Sequence, residues 1–269
     1  MIEIVKQAAW QAGEVLLNNF RKNLQVAHKT SSRDIVTEAD IASQKKITTI
    51  IGSLIKKKYP QFSYGFIGEE NLHFDNKEAD YLFVIDPLDG TVNFASGFEY
   101  FAVSIGVFFR QKLIAGVIYL PTAKTFYFAE YGQGAYKEKD NQKIKLSVLG
   151  GRLSDGLIAG YCSSDLQIQK RQNLVYRRLR PHIRSLRILV AAAVDFCLMA
   201  ENVFLAAIYG HGKLWDLAAG QLILEEAGGK VTDLSGKPLI LADFLYGREP
   251  IEYHAGYYPA LRQIVKILS

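Results

Sequence analysis

The sequence is poor in the residues that build disulfide frameworks and zinc sites. Among 269 residues it has only two cysteines, Cys162 and Cys197, which lie in apolar surroundings and lack metal-ligand spacing. We therefore predict two buried thiols in a reducing compartment, which favours a cytoplasmic location. The five histidines show no paired spacing of the kind that zinc sites use. Any metal site in this chain is expected to use carboxylate oxygens.

Several sequence signals that define large protein classes are also absent. We find no Walker-type phosphate loop, no Gly-x-Ser-x-Gly elbow and no Gly-x-Gly-x-x-Gly after a strand, which argues against a Ser-His-Asp hydrolase and a dinucleotide enzyme. The first residues lack a basic region followed by an apolar core, so we predict no secretory signal. The longest apolar stretch, 188–209, is interrupted by Asp195, Glu201 and Asn202. It predicts a buried helix followed by a strand, and no membrane span.

The composition is that of an ordinary globular protein with a basic excess in one place. The chain is 49% hydrophobic and 22% charged, which suits one large domain or two smaller ones. Leu149-Gly150-Gly151-Arg152 is a candidate boundary between an N-terminal half, 1–150, and a C-terminal half, 151–269. The formal net charge is +5, and six arginines lie within 17 residues: Arg171, Arg177, Arg178, Arg180, Arg184 and Arg187. A solvated helix face is the preferred interpretation of this stretch, and a nucleic-acid or protein partner is the alternative.

The periodicity of the apolar residues predicts a mixed α/β chain. Helical spacing predicts helices over 2–20, 166–179, 189–200, 216–227 and 259–268. Another long helix is predicted to open at the segment 34–40 and to run to about residue 58. Apolar runs bounded by turn residues predict strands over 62–67, 81–85, 101–109, 113–120, 125–129, 157–161 and 203–209. No fixed-period repeat is visible.

The most informative stretch is Asp86-Pro87-Leu88-Asp89-Gly90-Thr91. It follows a predicted buried strand, which should end at Asp86 because Pro87 cannot donate a ladder hydrogen bond. Two carboxylates on a tight turn suit a hard divalent cation. A glycine, a hydroxyl and the free N–H groups of a helix start suit a phosphate beside that cation. An ordinary Asp-Pro and Asp-Gly loop without chemistry is the alternative.

Three more carboxylates have an ordinary structural interpretation and a functional one. Asp40 follows the plausible N-cap Thr37 by three residues, so it either matches the helix dipole or belongs to the site. Glu69 follows the strand over 62–67, so it lies in a solvated loop or beside the Asp86 turn. Asp216 is either the N-cap of the helix over 216–227 or a metal ligand at the end of that helix.

These residues together resemble a known family. Gly68-Glu69-Glu70, the central stretch and Trp215-Asp216 stand in the order and spacing of the inositol monophosphatase-like, Mg²⁺-dependent phosphatases. Flanking matches extend the resemblance over nearly the whole chain: 34–40, Asn93-Phe94 and Glu226-Ala227-Gly228-Gly229. The resemblance implies a layered αβαβα sandwich, usually a homodimer, with two or three Mg²⁺ ions and a small phosphorylated metabolite as substrate.

The resemblance also implies roles for individual residues. The metal ligands would be Glu69, Asp86, Asp89, Asp216 and the carbonyl of Leu88. Thr91, paired with Asp40, would help Glu69 position and deprotonate a water, and the amides of Gly90 and Thr91 would hold the phosphate. The substrate site would also include Asp89, Asp216, Ala191 and Ala192, and Lys29 matches a mobile-loop lysine near the metals.

The substrate pocket departs from the family pattern. Val190-Ala191-Ala192-Ala193 stands where many members have Gly-Ser/Thr-Ala-Ala, and Tyr209 stands where an acid often grips inositol hydroxyls. A tyrosine hydroxyl donates one hydrogen bond but cannot replace a carboxylate acceptor. Inositol monophosphate remains the first expectation. The alternative substrates are fructose 1,6-bisphosphate, histidinol phosphate and a 3′-phosphonucleotide. His211 and Lys213 lie close by in the sequence and could contact a different or more anionic leaving group, although an ordinary loop role is the preferred interpretation of both.

Overall fold

The computed structural model describes residues 1–22, 26–28, 35–70, 78–163, 165–247 and 250–269. Its elements form five layers, in which two sheets alternate with three pairs of helices. This is the αβαβα sandwich that the resemblance implied, so the predicted fold class is confirmed. Among the described residues, every helix is too short or too polar to cross a bilayer.

The first outer layer consists of two N-terminal helices, α1 (Ile2–Asn19) and α2 (Glu38–Lys58). Helix α1 buries Ile4, Val5, Ala8 and Leu16 on one face, as its 3.6-residue spacing predicted. Thr37 caps α2, since its Oγ1 accepts a hydrogen bond from the N–H of Ala39 at 3.2 Å. A two-stranded antiparallel sheet, β1 (Val26–His28) and β2 (Ile35–Thr37), precedes α2.

The helices α1 and α2 cover one face of a seven-stranded sheet. Its strands lie in chain order, and all neighbouring pairs are antiparallel except the first two strands, which are parallel. The strands are β3 (Tyr64–Gly68), β4 (Tyr81–Asp89), β5 (Ala102–Phe109), β6 (Lys112–Leu120), β7 (Thr125–Glu130), β8 (Ala135–Lys139) and β9 (Gln142–Lys145). One short helix, α3 (Thr91–Ala95), lies between β4 and β5.

The second sheet has five strands in the order β11-β10-β12-β14-β13. Strand β10 is parallel to β11 and β12, and β14 is antiparallel to β12 and β13. The strands are β10 (Leu157–Gly160), β11 (Ser185–Ile188), β12 (Ala206–Gly212), β13 (Lys230–Thr232) and β14 (Ile251–Gly256). The helices α5 (Ala192–Ala200) and α6 (Leu214–Glu226) fill the layer between the two sheets, while α4 (Leu166–Leu179) and α7 (Tyr258–Leu268) cover the outer face.

The structure corrects some boundaries that the sequence predicted. Strand β4 continues past Pro87 to Asp89, because an irregularity in its pairing with β5 lies between Asp86 and Asp89 and accommodates the proline. Helix α5 begins at Ala192, since residues 185–188 pair as a strand and Val190 has a positive φ of 54°. Cys197 is buried as expected, but Cys162 is exposed because it lies beyond the end of β10.

Seven of the described strands were not predicted: β1, β2, β8, β9, β11, β13 and β14. Strand β9 is wholly exposed, and β13 has only three residues, so neither offers a clear hydrophobic pattern. The strands of the two sheets come from 64–145 and 157–256, on either side of residue 150. One hydrophobic core nevertheless contains residues of both sheets and of the helices α5 and α6 between them. The division of the chain into the halves 1–150 and 151–269 stays a prediction.

Helix α6 approaches the seven-stranded sheet so closely that one strand position requires glycine. A Cβ at Gly116 would lie 2.8 Å from the carbonyl oxygen and 2.9 Å from the Cα of Ala219, both of them main-chain atoms of the helix. We expect Gly116→Ala to lower the free energy of unfolding by about 1–3 kcal/mol, as overpacking does. Urea unfolding followed by circular dichroism measures the change.

A matched control for this variant is Gly210→Ala in β12. There the added Cβ would meet only Gln172, at 3.6 Å, which is an ordinary contact. We expect little change in stability, or a small gain from reduced freedom of the unfolded chain. Equal losses in the two variants would contradict the close approach of α6.

Candidate active site

The central turn is held in place from two sides. The hydroxyl of Ser43 on α2 donates to the carbonyl oxygen of Pro87 at 2.8 Å, and the N–H of Leu88 donates to Oδ1 of Asp86 at 3.0 Å. Asp86 and Asp89 are only 2% and 6% exposed. Two carboxylates are thereby buried on a turn whose backbone is fixed.

Gly90 gives this turn its shape. It has a φ of 87° and stands as the N-cap of α3, and a Cβ there would lie 2.8 Å from the carbonyl oxygen of Tyr100. Only glycine satisfies both conditions without strain. The side-chain amide of Asn93 donates to the carbonyl oxygens of Tyr100 and Leu189, at 2.8 and 2.7 Å, and so attaches the turn to the segment before α5.

Two helix N-termini donate to carboxylates of this region, the buried Asp89 and the half-buried Asp216. The N–H groups of Ala193 and Val194, at the start of α5, donate to Oδ2 of Asp89 at 3.0 and 3.3 Å. The N–H of Lys213 donates to Oδ2 of Asp216 at 2.9 Å. Free N–H groups and the positive ends of helix dipoles stabilise negative charge at such positions.

The position of Asp216 corrects one of the two interpretations made from the sequence. The helix begins at Leu214 with Lys213 as N-cap, so Asp216 is its third residue and not its N-cap. Its side chain still satisfies an N-terminal N–H group from that position. Asp216 therefore still accepts a hydrogen bond at the helix N-terminus, but it does so from the third position of the helix and not from the N-cap position.

Asp40 and Thr91 are hydrogen-bonded across 51 residues of sequence. Oδ2 of Asp40 accepts from the N–H of Thr37 at 2.8 Å and from its hydroxyl at 2.5 Å, which completes the capping box of α2. Oδ1 accepts from the hydroxyl of Thr91 at 3.0 Å. The Thr91 hydroxyl also lies 3.1 Å from the carbonyl oxygen of Leu88. One oxygen of the Asp40 carboxylate thus caps α2, and the other accepts from the hydroxyl of Thr91.

Glu69 reaches the same place through strand pairing. Strands β3 and β4 are parallel, and Gly68 is the partner of Ile85, so Glu69 follows β3 at the level where Asp86 follows Ile85. Neighbouring parallel strands end at the same edge of a sheet. The structure therefore brings Glu69, Asp86, Asp89 and Asp216 into one electrostatic cluster.

The cluster is costly to ionise. Burial raises the pKa of Asp86 well above its usual value, and the charges of Glu69, Asp89 and Asp216 raise it further. Burial, Asp216 and Asp195 likewise raise the pKa of Asp89. The pKa of Asp40 is raised mainly by burial. Like charges held together in a low dielectric favour either protonation or a bound cation.

The donors suit a hard cation, although they do not form a ready-made cage. Within the described ranges, no three side chains of His, Cys, Asp or Glu stand close enough together to enclose a metal ion as they are. Asp86, Asp89 and Asp216 each direct one oxygen to a backbone N–H group. Carboxylate and carbonyl oxygens are the ligands that Mg²⁺ prefers, so the residues fit this metal by their chemistry.

Three residues predicted for the substrate pocket are buried in the structure, and one of them lies beside the turn. Ala191 and Ala192 are buried at the start of α5, and a Cβ at Gly90 would come within 3.2 Å of the Ala191 Cβ. Tyr209 is almost wholly buried on β12, and its hydroxyl donates to Oδ2 of Asp195. Substrate contact by these residues stays a prediction. Lys29 lies outside the described residues.

Asp195 is a part of this region that sequence analysis did not assign. It is 1% exposed and accepts hydrogen bonds from the hydroxyls of Tyr100, at 2.7 Å, and Tyr209. Burial raises its pKa to about 7, although the two hydroxyls act in the opposite direction. A charged residue inside a long apolar stretch was the available signal, because a buried charge needs partners.

The arginine-rich stretch of 171–187 runs from helix α4 on the outer layer to the edge strand β11 of the five-stranded sheet. Its arginines are exposed, and three of them make local contacts. Arg178 donates to the carbonyl oxygen of Leu268 at 2.7 Å, Arg184 lies 3.9 Å from Asp155, and Arg187 contacts Ser185. Binding of nucleic acid or protein by this stretch stays a prediction.

Comparison with known proteins connects this geometry to a family. A family profile described as the inositol monophosphatase family matches residues 1–266. This chain belongs to the inositol monophosphatase family. Its members are phosphatases, a class of hydrolase, and the family is metal-dependent.

Individual relatives match over most of the chain. A protein of Aquifex aeolicus named fructose-1,6-bisphosphatase/inositol-1-monophosphatase is 32% identical over 257 residues, which cover 93% of this chain and 91% of that protein. Inositol monophosphatase 1 of Sus scrofa is 34% identical over 239 residues, covering 87% and 83%. The crystal structure of the extragenic suppressor protein suhB from Bartonella henselae has a TM-score of 0.86 at 30% identity, covering 100% of this chain and 98% of that one.

The buried cluster predicts how stability depends on pH and on divalent cations. Because the pKa of Asp89 is raised in the folded chain, its ionisation costs stability as pH rises through that pKa. Asp89→Asn is isosteric and keeps an acceptor for the N–H groups of Ala193 and Val194. Without divalent cations, we expect the melting temperature of the unmodified chain to fall more steeply than that of the variant between about pH 5 and about pH 8.

The same variant separates folding from metal binding. We expect Mg²⁺ to raise the melting temperature of the unmodified chain at about pH 8 and to raise that of Asp89→Asn much less, because ligands that bind only the folded state stabilise it. Ser96→Ala, on the exposed surface beside the same turn, is the control and should respond to Mg²⁺ as the unmodified chain does. An equal Mg²⁺ response in Asp89→Asn would remove Asp89 from the metal site.

Proposed function

We propose that this chain is a Mg²⁺-dependent phosphomonoesterase that hydrolyses a small phosphorylated metabolite, with inositol monophosphate as the first candidate. The observation that carries the proposal is that the buried carboxylates of Asp86 and Asp89 lie in one electrostatic cluster with Glu69 and Asp216, an arrangement that a bound cation would stabilise. We further propose that Glu69, Asp86, Asp89, Asp216 and the carbonyl of Leu88 hold two or three Mg²⁺ ions. The protein would act in the cytoplasm as a homodimer.

A phosphate monoester reacts slowly because its negative charge repels nucleophiles, so catalysis depends on neutralising charge and holding the reactants. Bound Mg²⁺ would supply the positive charge and lower the pKa of a coordinated water. The chain itself supplies the orientation. The N–H groups of Gly90 and Thr91 stand at the start of α3, where an anionic phosphate oxygen would accept hydrogen bonds.

Thr91 is proposed to position the attacking water through its bond to Asp40. A threonine hydroxyl has one proton, and donating it to Oδ1 of Asp40 leaves the oxygen lone pairs available to accept from a water. The bonds from Thr37 fix the Asp40 carboxylate and hence the rotamer of Thr91. Glu69, at the end of β3, would accept the proton of that water.

The pocket supports a second candidate within the same chemistry. The side chain of Tyr209 is buried, and its hydroxyl donates a hydrogen bond to Asp195. Position 209 therefore offers no carboxylate that could accept hydrogen bonds from inositol hydroxyls. The Aquifex aeolicus relative carries both activities in its name. Fructose 1,6-bisphosphate is therefore the second candidate substrate.

The proposed activity is tested by phosphate release from a panel of metabolites, with Mg²⁺ and with chelator. The panel holds inositol 1-phosphate, fructose 1,6-bisphosphate, histidinol phosphate and 3′-phosphoadenosine 5′-phosphate. We expect Mg²⁺-dependent release, highest with inositol 1-phosphate, and none from Asp89→Asn. Equal release in chelator, or none from any substrate by a chain whose melting temperature responds to Mg²⁺, would contradict the proposal.

The role of Thr91 is tested by a pair of substitutions. Thr91→Ala removes the hydroxyl but leaves the backbone N–H, and we expect kcat to fall by about 10²-fold, as for loss of a group that assists proton transfer. Thr91→Ser keeps the hydroxyl and should retain most of the activity. A similar rate in Thr91→Ala and Thr91→Ser would limit Thr91 to its backbone contact.

A further inference from the structure

A cavity of about 540 Å³ lies on the far side of the five-stranded sheet from the central turn at 86–91. Its floor is formed by Ile208 and Gly210 of β12 and by Glu252 and His254 of β14, and its walls come from α4 and α7. Successive residues of a strand face opposite sides of the sheet. Ile208 therefore belongs to the outer core, whereas the Tyr209 side chain belongs to the core between the sheets. The sheet itself separates this cavity from Asp195 and the turn.

Gln172 on α4 presents a hydrogen-bond donor to the cavity. Its Oε1 accepts from the N–H of Ser163 at 3.2 Å, which fixes the orientation of the amide. Its Nε2 then points to Gly210, where a Cβ would lie 3.6 Å away, and both residues line the cavity. The side chain is 6% exposed, and its Nε2 has no hydrogen-bond partner among the residues that the structure describes. A buried donor left unpaired is unfavourable, so an acceptor on a bound molecule would stabilise it.

His254 gives the floor a second polar atom. The residue is 2% exposed, and its Nδ1 also has no partner within the described part of the chain. Burial lowers the pKa of the imidazole to about 4, so the ring is neutral at physiological pH. A neutral imidazole has one donor and one acceptor nitrogen. Gln172 on α4 and His254 on β14 thus line the same cavity, and each carries one buried nitrogen without a hydrogen-bond partner among the described residues.

The remaining lining defines what else an occupant must have. Val175, Val265 and Leu268 add apolar surface from α4 and α7. Arg171 and Glu252 are exposed at the lining and bring one charge of each sign. Both of these charged side chains are solvent-exposed, whereas the buried side chains named at the lining, Gln172, His254 and Ile208, are uncharged. Its size falls in the usual range of small-molecule sites.

We propose that this cavity is a binding site for a small neutral carboxamide with an apolar ring or chain. The carbonyl oxygen of the amide accepts from Nε2 of Gln172, its N–H group has a partner in the neutral imidazole of His254, and its apolar part packs on Ile208, Val175 and Val265. A carboxylate of the same shape lacks the donor and adds an uncompensated charge. The site is independent of the central turn, because the five-stranded sheet lies between them.

Benzamide is the probe, used with the full chain and followed by amide correlation NMR spectra. A ligand of this size is expected to bind with a Kd of about 1 mM. We expect saturable shifts of the Gly210 N–H and of the Gln172 side-chain amide, unchanged by Mg²⁺ with inorganic phosphate. Benzoate and toluene should bind more weakly. Absence of saturable shifts at these groups, or displacement of benzamide by phosphate, would overturn the proposal.

Two substitutions test the chemistry and the space separately. Gln172→Glu keeps an acceptor for the Ser163 N–H but replaces the donor with an acceptor, and we expect about tenfold weaker binding. Val265→Phe fills the cavity with apolar atoms and should abolish binding. Gly151→Ala, an exposed position outside the cavity, is the control. Melting temperatures show that each variant is folded, and unchanged benzamide affinity in both folded cavity variants would place the probe elsewhere.

Discussion

The repulsion among four converging carboxylates is the constraint on which this architecture depends. Glu69 follows β3, Asp86 and Asp89 lie on β4, and Asp216 lies on α6. Because Asp86 and Asp89 are buried, simultaneous ionisation of the four carboxyl groups is unfavourable. The fold offsets part of this cost with backbone donors, since N–H groups of Leu88, Ala193 and Lys213 each bind one of the aspartates. A compact chain without a cation would be more stable with apolar residues there. The proposed binding of Mg²⁺ would offset this repulsion.

The layered fold explains how these distant residues meet. Parallel pairing of β3 with β4 brings Glu69 to the edge where Asp86 stands. Helices α5 and α6 lie between the two sheets with their first N–H groups at this edge. The approach of α6 to Gly116 is close enough that its position relative to the strands is fixed. The geometry of the cluster is therefore a property of three layers, and no single loop determines it.

The sequence allowed a mixed α/β chain and the turn at 86–91 to be predicted from local signals, whereas the layered sandwich and the set of metal ligands were implied by the family resemblance. The apolar run before Asp86, the cap at Thr37 and the glycine at residue 90 each act within a few residues. The sequence could not place the pairing irregularity that carries β4 past Pro87, because that irregularity depends on β5. Nor could it reveal that the hydroxyl of Tyr209 binds Asp195, a contact between β12 and α5. Contacts between elements decide such details, and spacing along the chain does not encode them.

Asp195 links the electrostatics of the cluster to the character of the pocket. Its carboxylate is buried one residue beyond Val194, whose N–H binds Asp89, and its charge raises the pKa of Asp89. When Asp195 ionises, it adds negative potential where the aspartates already repel one another, which increases the attraction for a divalent cation. The same carboxylate engages the hydroxyls of Tyr100 and Tyr209 and so fixes two aromatic side chains. Under the proposed function, this one buried acid would both increase the affinity for Mg²⁺ and engage the Tyr209 hydroxyl, so that metal binding and substrate choice would share a determinant outside the family motif.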